Sequence, residues 1–503
     1  MKNYTYPRVD TKIIAKIHNT AAPEAEDTTV LFMPILADKG PMNEIVKIHS
    51  LEEFITTFGE MDGIQKRVGK LTAFNIMNWL TAGGTLYVVR LGNEAGSKQR
   101  EVTIGYPKNN KTATEFYTIT GKDLGAYING YTFDLVKNGE QGTILVKLSN
   151  RIVERVYFTV PKEVNGEVRV ASEYIEKITK VAAMPEPDHV DGTDGLLIDD
   201  KVTDEKKYEL FIKVLKVFWG ATDKTEITGI KDAKQFLENP LPTPIDLLMD
   251  AGYPLSVKVA MADFVKSNNA DVPGVRPDIC AYIDLYDATD STNTTMTTAL
   301  PTGLPNDENV FYFWQSFTIS DAVFADGADM TVGPSYFLSK IVPANDIANG
   351  IQFPAAGTRR AELTDVVKMS ENPLPDTKET LFNNHINYAE KDSRGYYFMS
   401  QRTSSEIPTA LSFINNARVT CRIVHEINAL ARDYLFEFND ATTLQNMRSV
   451  LNKYITNWIA NRTLSYGEVD VAKNALSDEA VDVTLNIKFT GTIEVISIKL
   501  VIE

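Results

Sequence analysis

Three short stretches of the sequence place reactive side chains at spacings that suggest chemistry. His425-Glu426 resembles the start of an HExxH motif, in which two histidines on one helix face bind Zn²⁺ and the glutamate acts as general base. Ala429 stands where the second histidine is required. The sequence therefore predicts no zinc hydrolase site, and we expect His425 to be a helical residue that is partly buried or exposed.

The segment from Gly63 to Lys70 imitates a phosphate-binding loop. In that motif four residues separate two glycines, and a serine or threonine that helps to hold Mg²⁺ follows the lysine. Here five residues separate Gly63 from Gly69, and Leu71 follows the lysine. The spacing and the missing hydroxyl argue against nucleotide binding, and we expect a loop between two helices.

Carboxylate and amide side chains also gather in a polar loop, at Asp287, Asp290 and Asn293. Oxygen ligands of this kind suit Ca²⁺, but the spacing and the missing glycine do not match the EF-hand loop. A solvated loop is the simpler expectation. The nucleophile motif Gly-x-Ser-x-Gly does not occur in the sequence. We therefore predict no catalytic residue, no metal site and no cofactor.

Charge and composition narrow the class of partner. Lysine and arginine number 51 and aspartate and glutamate 67, which gives a formal net charge of −16. Phosphate binding needs clustered basic side chains, so direct nucleic-acid binding is not expected. The sequence has no long apolar run and no signal-peptide pattern, so we expect neither membrane insertion nor secretion. Cys280 and Cys421 are expected to be buried thiols of a protein folded in a reducing cytoplasm.

The clearest structural signal lies near the C-terminus. From Val481 to Phe489 apolar and polar residues alternate without a break, which predicts a strand with one buried face. After a bend at Thr490-Gly491-Thr492 the alternation resumes, slips by one residue and continues to Ile502. An apolar strand at a chain end needs an edge to pair with. It either joins its own sheet or extends the sheet of another copy.

The N-terminus has a similar character. Residues 4–17 are rich in β-forming side chains, and Pro7 near their start points to an edge strand. A polar linker follows at 19–28. The segment is either a disordered leader or an extended arm, and two β-prone ends together favour strand exchange between subunits. The predicted arm residues are Tyr4, Tyr6, Val9, Ile13 and Ile17 at the N-terminus and Ile493, Val495, Ile498, Leu500 and Ile502 at the C-terminus.

Between the arms, residues 30–92 predict a compact α/β unit. A short buried strand comes first, and Ser50 with Glu53 forms a capping box at the start of a helix over Leu51–Phe58. A second helix is predicted over about Leu71–Leu80. A strand follows over Leu86–Leu91.

The rest of the chain changes character twice. Residues 97–170 hold short β-rich runs separated by Gly and Asn turns, which predicts a small β-sandwich. In 171–365 strands such as Ile279–Leu285 alternate with helices, so we expect a sheet covered by helices. Two amphipathic helices are predicted after that, over Arg418–Phe438 and Leu444–Ile459.

Two stretches, GPMNEIVKIHSLEEFITTFGE and AFNIMNWLTAGGTLYVVRLG, hold in this order a Gly-Pro turn, a Ser-led helix ending in Phe-Gly, and a Gly-Gly turn before a YVVR strand. This combination resembles the contractile-tail sheath proteins of bacteriophages and related injection machines. The resemblance covers nearly the whole chain and is weakest at 100–300. The later residues that match the sheath pattern are Trp314, Pro334, Ser335, Asp346, Pro354, Ala355, Gly357, Ile386, Asn387, Gly395, Arg402 and Thr403.

The resemblance implies a multi-domain fold of α/β and β type. It consists of an α+β sheath core built from N- and C-terminal segments, an inserted small β-sandwich and an inserted subtilisin-like α/β domain. The implied division is 1–28 for an N-terminal extended arm and linker, 29–95 for the N-terminal α/β part of the core, 96–175 for the β-sandwich, 176–365 for the subtilisin-like domain, and 366–503 for the C-terminal sheath domain with its terminal strand arm.

The resemblance also implies a function without chemistry. The chain is expected to be a structural subunit of a bacteriophage tail sheath, a helical homo-oligomer around the inner tail tube protein that also meets baseplate and tail terminator proteins. It would assemble in the host cytoplasm, become part of the virion's tail, and contract to drive the tube through the host envelope for genome ejection. The alternatives are the sheath of a phage-derived contractile injection system and a hydrolase that uses the subtilisin-like domain.

The C-terminal helices carry many basic side chains for an acidic chain. The resemblance suggests that part of this set, in particular Arg448 and Lys453, faces the inner tube. Ordinary solvated helix faces are the alternative. The whole set is Arg418, Arg422, Arg432, Arg448, Lys453 and Arg462.

Overall fold

The computed structural model describes most of the chain, and the described residues fall into a series of segments separated by gaps. These segments are 29–37, 39–42, 44–91, 99–106, 114–124, 131–138, 140–148, 151–181, 189–190, 196–199, 244–266, 278–286 and 298–492.

Helices and strands both occur in the described parts of 29–91 and 244–492, and strands form the described elements between residues 99 and 199. The helices are α1 (Leu51–Phe58), α2 (Met61–Val68), α3 (Lys70–Thr81), α4 (Leu255–Val265), α5 (Ser335–Asn349), α6 (Pro375–Asn383), α7 (Ile414–Arg432) and α8 (Ala441–Ala460). The strands are β1 (Val30–Ile35), β2 (Ile45–Ile48), β3 (Thr85–Arg90), β4 (Gln99–Tyr106), β5 (Thr114–Leu124), β6 (Tyr131–Asn138), β7 (Gln141–Leu148), β8 (Arg151–Thr159), β9 (Glu167–Arg169), β10 (Ile175–Lys180), β11 (His189–Val190), β12 (Leu196–Asp199), β13 (Leu247–Met249), β14 (Cys280–Asp284), β15 (Val310–Phe313), β16 (Phe317–Asp321), β17 (Ala328–Val332), β18 (Val366–Met369), β19 (Ile386–Asn387), β20 (Ala389–Lys391), β21 (Tyr396–Phe398), β22 (Leu464–Lys473) and β23 (Val481–Phe489).

Helix α1 begins where the sequence places it. The Ser50 hydroxyl accepts a hydrogen bond from the Glu53 amide at 3.1 Å. The Glu53 carboxylate reaches back to the amide of His49 at 2.8 Å, one residue before the cap. The Ser50 half of the predicted capping box is thus confirmed, and it satisfies an amide of the first helical turn. The reciprocal bond from Glu53 goes to His49 instead of Ser50.

The segment that we predicted to be a loop is a helix. Helix α2 runs over Met61–Val68, and Gly69, with φ of 97°, separates it from α3. Met61, Ile64 and Val68 form its buried face. The loop prediction was wrong because one internal glycine costs a helix only about 1 kcal/mol. Burial of three apolar side chains on one face outweighs that cost.

A seven-stranded sheet forms the centre of the molecule. Its strand order is β19-β15-β14-β13-β1-β3-β2. The pairs are parallel except for β2, which runs antiparallel to β3 at one edge. Every residue of β1, β3, β14 and β15 is buried. Continuous burial of this kind is typical of a parallel sheet that is covered on both faces.

This sheet draws its strands from distant parts of the chain. They come from 30–90, 247–313 and 386–387, and so from three of the segments that the sequence delimits as separate domains. One apolar core runs through all of them, up to Cys421 on α7. The described elements of 30–90, 247–313 and 386–387 therefore form one layered α/β unit. The subtilisin-like topology of 176–365 stays a prediction.

Two antiparallel sheets lie between the first and second parts of that unit in sequence. Their strand orders are β12-β4-β5-β10-β9 and β11-β6-β7-β8. Both sheets contribute side chains to one core, which agrees with the small β-sandwich expected there. The buried members of this core are Tyr117, Ile119, Phe133, Leu135, Ile144, Val146, Val156, Phe158, Ile175 and Ile178.

The two C-terminal helices are present, but the first has different ends. Helix α7 runs over Ile414–Arg432 instead of Arg418–Phe438. Phe436 has a φ of 71°, which a helix does not allow, and Phe438 is 83% exposed instead of lying on the buried face. The Asp440 carboxylate then accepts the Thr443 amide at 2.8 Å and caps α8.

Candidate assembly interface

The C-terminal part of the chain forms a small unit of its own, which we call the C-terminal unit: α7, α8, β22 and β23. Strands β22 and β23 form an antiparallel hairpin that pairs from Leu464 and Phe489 to Lys473 and Val481. The predicted strand over Val481–Phe489 is therefore confirmed. The hairpin and both helices enclose a core whose buried members are Val419, Ile423, Ile427, Leu430, Met447, Leu451, Ile455, Trp458, Leu464, Val469, Val471 and Ile487.

Close packing of α8 on the hairpin depends on a glycine. A Cβ at Gly467 would lie 2.4 Å from the Ile455 side chain of α8. No real Cβ approaches a carbon atom that closely, so the absence of a side chain lets the strand lie directly on the helix. Gly467 lies inside β22.

No third described strand pairs with the hairpin. Within the described residues β22 pairs only with β23, so each strand has an outer edge that carries backbone amide and carbonyl groups. The chain leaves β23 through Thr490, whose amide donates to the Thr463 carbonyl at 3.0 Å. Thr492, two residues later, accepts a hydrogen bond from the Gln401 side chain at 3.0 Å. Residues 493–503 continue from this anchored point.

One tip of the C-terminal unit is apolar and exposed. Phe436 is 88% exposed, and Leu476 in the hairpin turn is 80% exposed. The Asn439 amide donates to the Asp478 carbonyl at 2.7 Å, so the helix connection and the hairpin turn lie side by side. Large exposed apolar side chains that lie close together are typical of protein contact surfaces.

The face of α7 that meets the central unit carries a row of polar side chains. Arg418, Arg422 and His425 recur at a spacing of about one helical turn, so they lie on one face. All three face acidic side chains of the central unit. Arg418 and Arg422, which the sequence assigned to a possible tube-facing set, are therefore internal. Both guanidinium groups are paired, with 2% and 11% of their side chains exposed, so neither belongs to the part of the set that is predicted to face the tube. The prediction for Arg448 and Lys453 stays a prediction.

The acidic partners come from the ends of central elements. Asp246 directly precedes β13 and accepts two bonds from Arg422, at 3.0 and 2.8 Å. Asp278 lies just before β14 and is 2.6 Å from His425 Nε2. These contacts fasten α7 to the amino-terminal ends of two parallel strands. They explain how the C-terminal unit is held against the central sheet.

The pKa values of the titratable side chains around α7 are set by burial and by these charged neighbours. Burial alone would raise the pKa of Asp246, but Arg422 and His425 hold it well below its ordinary value. Burial would lower the pKa of His425, yet Asp278 and Asp246 raise it. Burial raises the pKa of Glu426 to about 8. Within the described part of the chain the Glu426 Oε2 atom has no hydrogen-bond partner.

A second buried cluster lies at the carboxyl ends of the same strands. Asp284, the last residue of β14, accepts the Ser335 amide at 2.9 Å and the Ser335 hydroxyl at 2.6 Å. The Lys258 ammonium lies 2.9 Å from the Asp250 carboxylate. Burial and the nearby charge of Asp250 raise the pKa of Asp284 to about 8.

This position is where α/β sheets commonly bind ligands, but the arrangement is that of a structural joint. Ser335 is fully buried, and Gly333 closes over Asp284 so tightly that a Cβ would lie 2.1 Å from Oδ2. His425, a buried histidine of the described residues, lies at the other ends of these parallel strands. A serine hydrolase needs its serine and its base in contact, and this cluster does not provide that pair.

The residues that match the sheath pattern act as internal joints. The Asn387 amide donates to the Tyr312 carbonyl at 3.0 Å and to the Arg402 carbonyl at 2.7 Å. Gly357, with φ of 80°, donates its amide to the Phe398 carbonyl at 2.7 Å. The motifs that carried the resemblance therefore mark positions where the core is held together.

Some of the predicted site residues lie within the described part of the chain and others lie outside it. All ten predicted arm residues, in 1–28 and 493–503, lie outside the described residues, as does the polar loop from Asp287 to Asn293. Arg448 and Lys453 both lie on α8. The Arg448 guanidinium bonds to Asp470 on β22, with 37% of its side chain exposed, and Lys453 is exposed.

The described residues hold neither a candidate metal cluster nor a candidate membrane span. Within them there is no cluster of three or more His, Cys, Asp or Glu side chains that could hold a metal ion. Among the described helices none has the length and apolar character needed to cross a membrane.

Comparison with known proteins identifies the fold. No protein-family model matches the sequence, and no curated protein matches it. The sheath tail protein from Listeria innocua has a TM-score of 0.60 at 14% identity, over 94% of this chain and 94% of that chain. The helical sheath of the anti-feeding prophage in its contracted state has a TM-score of 0.52 at 11% identity, over 100% of this chain and 99% of that chain. The PVC sheath complex, from an extracellular contractile injection system in its contracted state, has a TM-score of 0.51 at 10% identity, over 100% and 98%.

These likenesses concern the fold. The chain has the fold of contractile sheath proteins, and the resemblance predicted from its sequence is confirmed at that level.

Proposed function

We propose that this chain is a non-enzymatic structural subunit of a contractile sheath. Copies of it polymerise helically around an inner tube, and contraction of the polymer drives the tube through an envelope. The observation that carries this proposal is the extent of the fold likeness, which covers nearly all of this chain and of each sheath protein. A protein that shared only one module with sheaths would match over only part of its length.

The hairpin of the C-terminal unit supplies a physical route to polymerisation. Within the described residues no third strand pairs with this hairpin, so its edges are candidates to accept an extended segment, and the β-prone residues 493–503 follow β23 closely in sequence. We infer that each subunit donates its N- and C-terminal arms to neighbouring copies. Each main-chain hydrogen bond contributes on the order of 1 kcal/mol, and several such pairings per subunit act as multivalent contacts.

Head-to-tail contacts of this kind do not close on themselves, so they produce a helical polymer. During contraction the bodies would rotate while the arms keep the polymer connected. The buried ion pairs of α7 support this picture, because they fix the C-terminal unit to the central sheet and make each body move as one piece. The energy would then be stored in assembly itself.

Arg448 and Lys453 remain our proposal for contacts with the inner tube. Both lie on α8 and have exposed surface. Arg448 already bonds to Asp470, so Lys453 is the freer of the two to meet an acidic partner. Baseplate and tail terminator proteins would meet the two ends of the polymer.

We place the polymer in the tail of a phage particle that assembles in the host cytoplasm and ejects a genome through the host envelope. A phage-derived injection system is the alternative, because the solved sheaths that share this fold include one from an extracellular contractile injection system. Electron microscopy of particles purified with this chain distinguishes the two. A DNA-filled head on the tail supports the phage, and headless particles support the injection system.

Negative-stain imaging of the purified chain tests the proposal. We expect wide cylinders with cogwheel-shaped ends, and a variant without residues 493–503 should remain as folded monomers. A matched pair of point variants separates strand pairing from general disturbance of this segment. Ile498→Asn with Leu500→Asn should prevent assembly, and Glu494→Gln with Lys499→Gln should not. Normal cylinders from the truncated chain would rule out donation of the C-terminal arm.

A further inference from the structure

A small cavity lies where α7 meets the central unit. It encloses about 10 Å³, and its apolar walls include Tyr282, Phe313 and Leu338. Space on the order of 10 Å³ is enough for one water molecule. Gln401, Asn415 and Arg418 also line it.

Each of these three polar residues has one atom without a hydrogen-bond partner within the part of the chain that the structure describes. The atoms are Gln401 Oε1, Asn415 Oδ1 and Arg418 Nε. The three residues are 8%, 4% and 3% exposed, so bulk water does not satisfy them. Buried polar atoms in native proteins nearly always have a partner, and three orphaned atoms around one cavity call for a shared one.

The chemistry of the three atoms identifies that partner. Arg418 Nε carries a hydrogen and donates, whereas Gln401 Oε1 and Asn415 Oδ1 accept. The partner must accept one hydrogen bond and donate two. An anion would meet two oxygen acceptors, and a metal ion or ammonium could not accept from the guanidinium. We propose that this cavity binds one buried water molecule, which accepts from Arg418 and donates to Gln401 and Asn415.

The other bonds of these side chains give the water a structural role. The Arg418 Nη2 group lies 3.2 Å from the Thr29 hydroxyl, and both groups bond to Asp346. At the other end, Gln401 Nε2 donates to the Thr492 hydroxyl at 3.0 Å. The water completes one buried hydrogen-bonded network that runs from Thr29 to Thr492.

Thr29 and Thr492 are the positions where the described body meets residues 1–28 and 493–503. The network therefore ties both connections to the same helix, α7. That consequence rests on the proposed function, since it matters for assembly only if these segments are arms. The water site itself depends only on the cavity and its three polar atoms.

A crystal structure of the full chain, at a resolution that shows ordered solvent, tests the water site. We expect a single density peak within hydrogen-bond distance of all three atoms, and no such peak in Gln401→Met, which keeps the side-chain length. Density that shows no peak in the unmodified chain, or side chains turned to bond one another directly, overturns the proposal. This outcome is independent of whether the chain forms cylinders.

Hydrogen exchange measured by mass spectrometry tests the network. Gln401→Met should increase exchange several-fold in a peptide that contains Val30 and Leu31, because the water links the Gln401 side chain to Arg418, and Arg418 bonds to Thr29. Ile414→Val changes the apolar wall of the same cavity and should leave that peptide unchanged. Equal exchange in Gln401→Met and the unmodified chain overturns the network, and so does an equal increase in both variants.

Discussion

Arg418 on α7 donates two parallel hydrogen bonds to Asp346 on α5. One joins Nη1 to Oδ1 at 3.2 Å, and the other joins Nη2 to Oδ2. Only 2% and 3% of the two side chains are exposed. The pair joins the C-terminal unit to the body in which the sheet and its covering helices lie. Two-pronged pairing of a guanidinium with a carboxylate fixes orientation as well as distance.

Asp346→Asn should strongly destabilise the fold. The change leaves the Arg418 charge buried without its counter-ion, which costs about 3–5 kcal/mol in comparable pairs. Urea denaturation followed by circular dichroism measures the loss. The matched control is Asp392→Asn, which breaks an exposed pair with Arg394 and should leave the midpoint unchanged. Equal midpoints for the two variants would mean that the buried pair does not hold the units together.

Glu426→Gln should stabilise the protein at about pH 8 and have little effect at about pH 5. The folded carboxyl has a pKa raised to about 8, against 4.5 as the ordinary value. As the pH rises between these values, the unfolded chain loses the proton first, and stability falls. Glutamine does not titrate, so the variant avoids this loss, by on the order of 1–3 kcal/mol near pH 8.

Urea denaturation at both pH values measures whether the variant is more stable than the parent. Glu479→Gln is the matched control, because Glu479 lies on the surface of the same C-terminal unit. It should show the same difference from the parent at either pH. A Glu426→Gln variant that is less stable than the parent at the higher pH contradicts the inferred burial of an uncompensated carboxyl.

Gly333→Ala should destabilise the central unit. The new Cβ would lie 2.1 Å from Asp284 Oδ2, and the Ser335 amide and hydroxyl hold that carboxyl in place. Overpacking a rigid site costs about 1–3 kcal/mol. Gly491→Ala is the control, since its Cβ would meet no atom within 4 Å. The midpoint temperature of thermal unfolding should therefore fall for Gly333→Ala and not for Gly491→Ala. An unchanged midpoint for Gly333→Ala would mean that the site around Asp284 can adjust to the added methyl group.

Neutralising Arg448 and Lys453 together should weaken attachment to the inner tube if α8 faces it. Arg448→Gln with Lys453→Gln removes two positive charges from one helix, and the effect should be largest at low salt because screening weakens such contacts. Co-sedimentation with purified tubes measures it. Arg432→Gln with Arg462→Gln, which removes two charges exposed elsewhere on the C-terminal unit, is the control. Equal attachment of both double variants assigns these charges to ordinary solvated surface.

Local patterns in the sequence were enough for many of the elements. The alternation at Val481–Phe489 and the Ser50 cap of α1 both depend on near neighbours in sequence, and both are found. Helix α2 was missed because Gly63 hid its apolar spacing, which only burial against the rest of the core makes decisive.

The polar joints could not be predicted in the same way. Arg418, Arg422 and His425 bond to partners 72, 176 and 147 positions away. The sequence shows that they share one helix face. It does not show whether that face is exposed or buried, because the acidic partners are distant in sequence and only the fold brings them close. Asp346 and Ser335 are among the residues that match the family pattern, but the match does not indicate that both are buried.

The central claim is that the terminal segments of one copy complete the sheet of another. Cryo-electron microscopy of cylinders formed by the full chain tests it most directly. We expect residues 493–503 of one copy, and the β-prone N-terminal residues of another, to lie along the edges of the β22–β23 hairpin of an adjacent subunit. Cylinders in which both segments fold back onto their own subunit would contradict the claim, and so would a purified chain that forms no polymer.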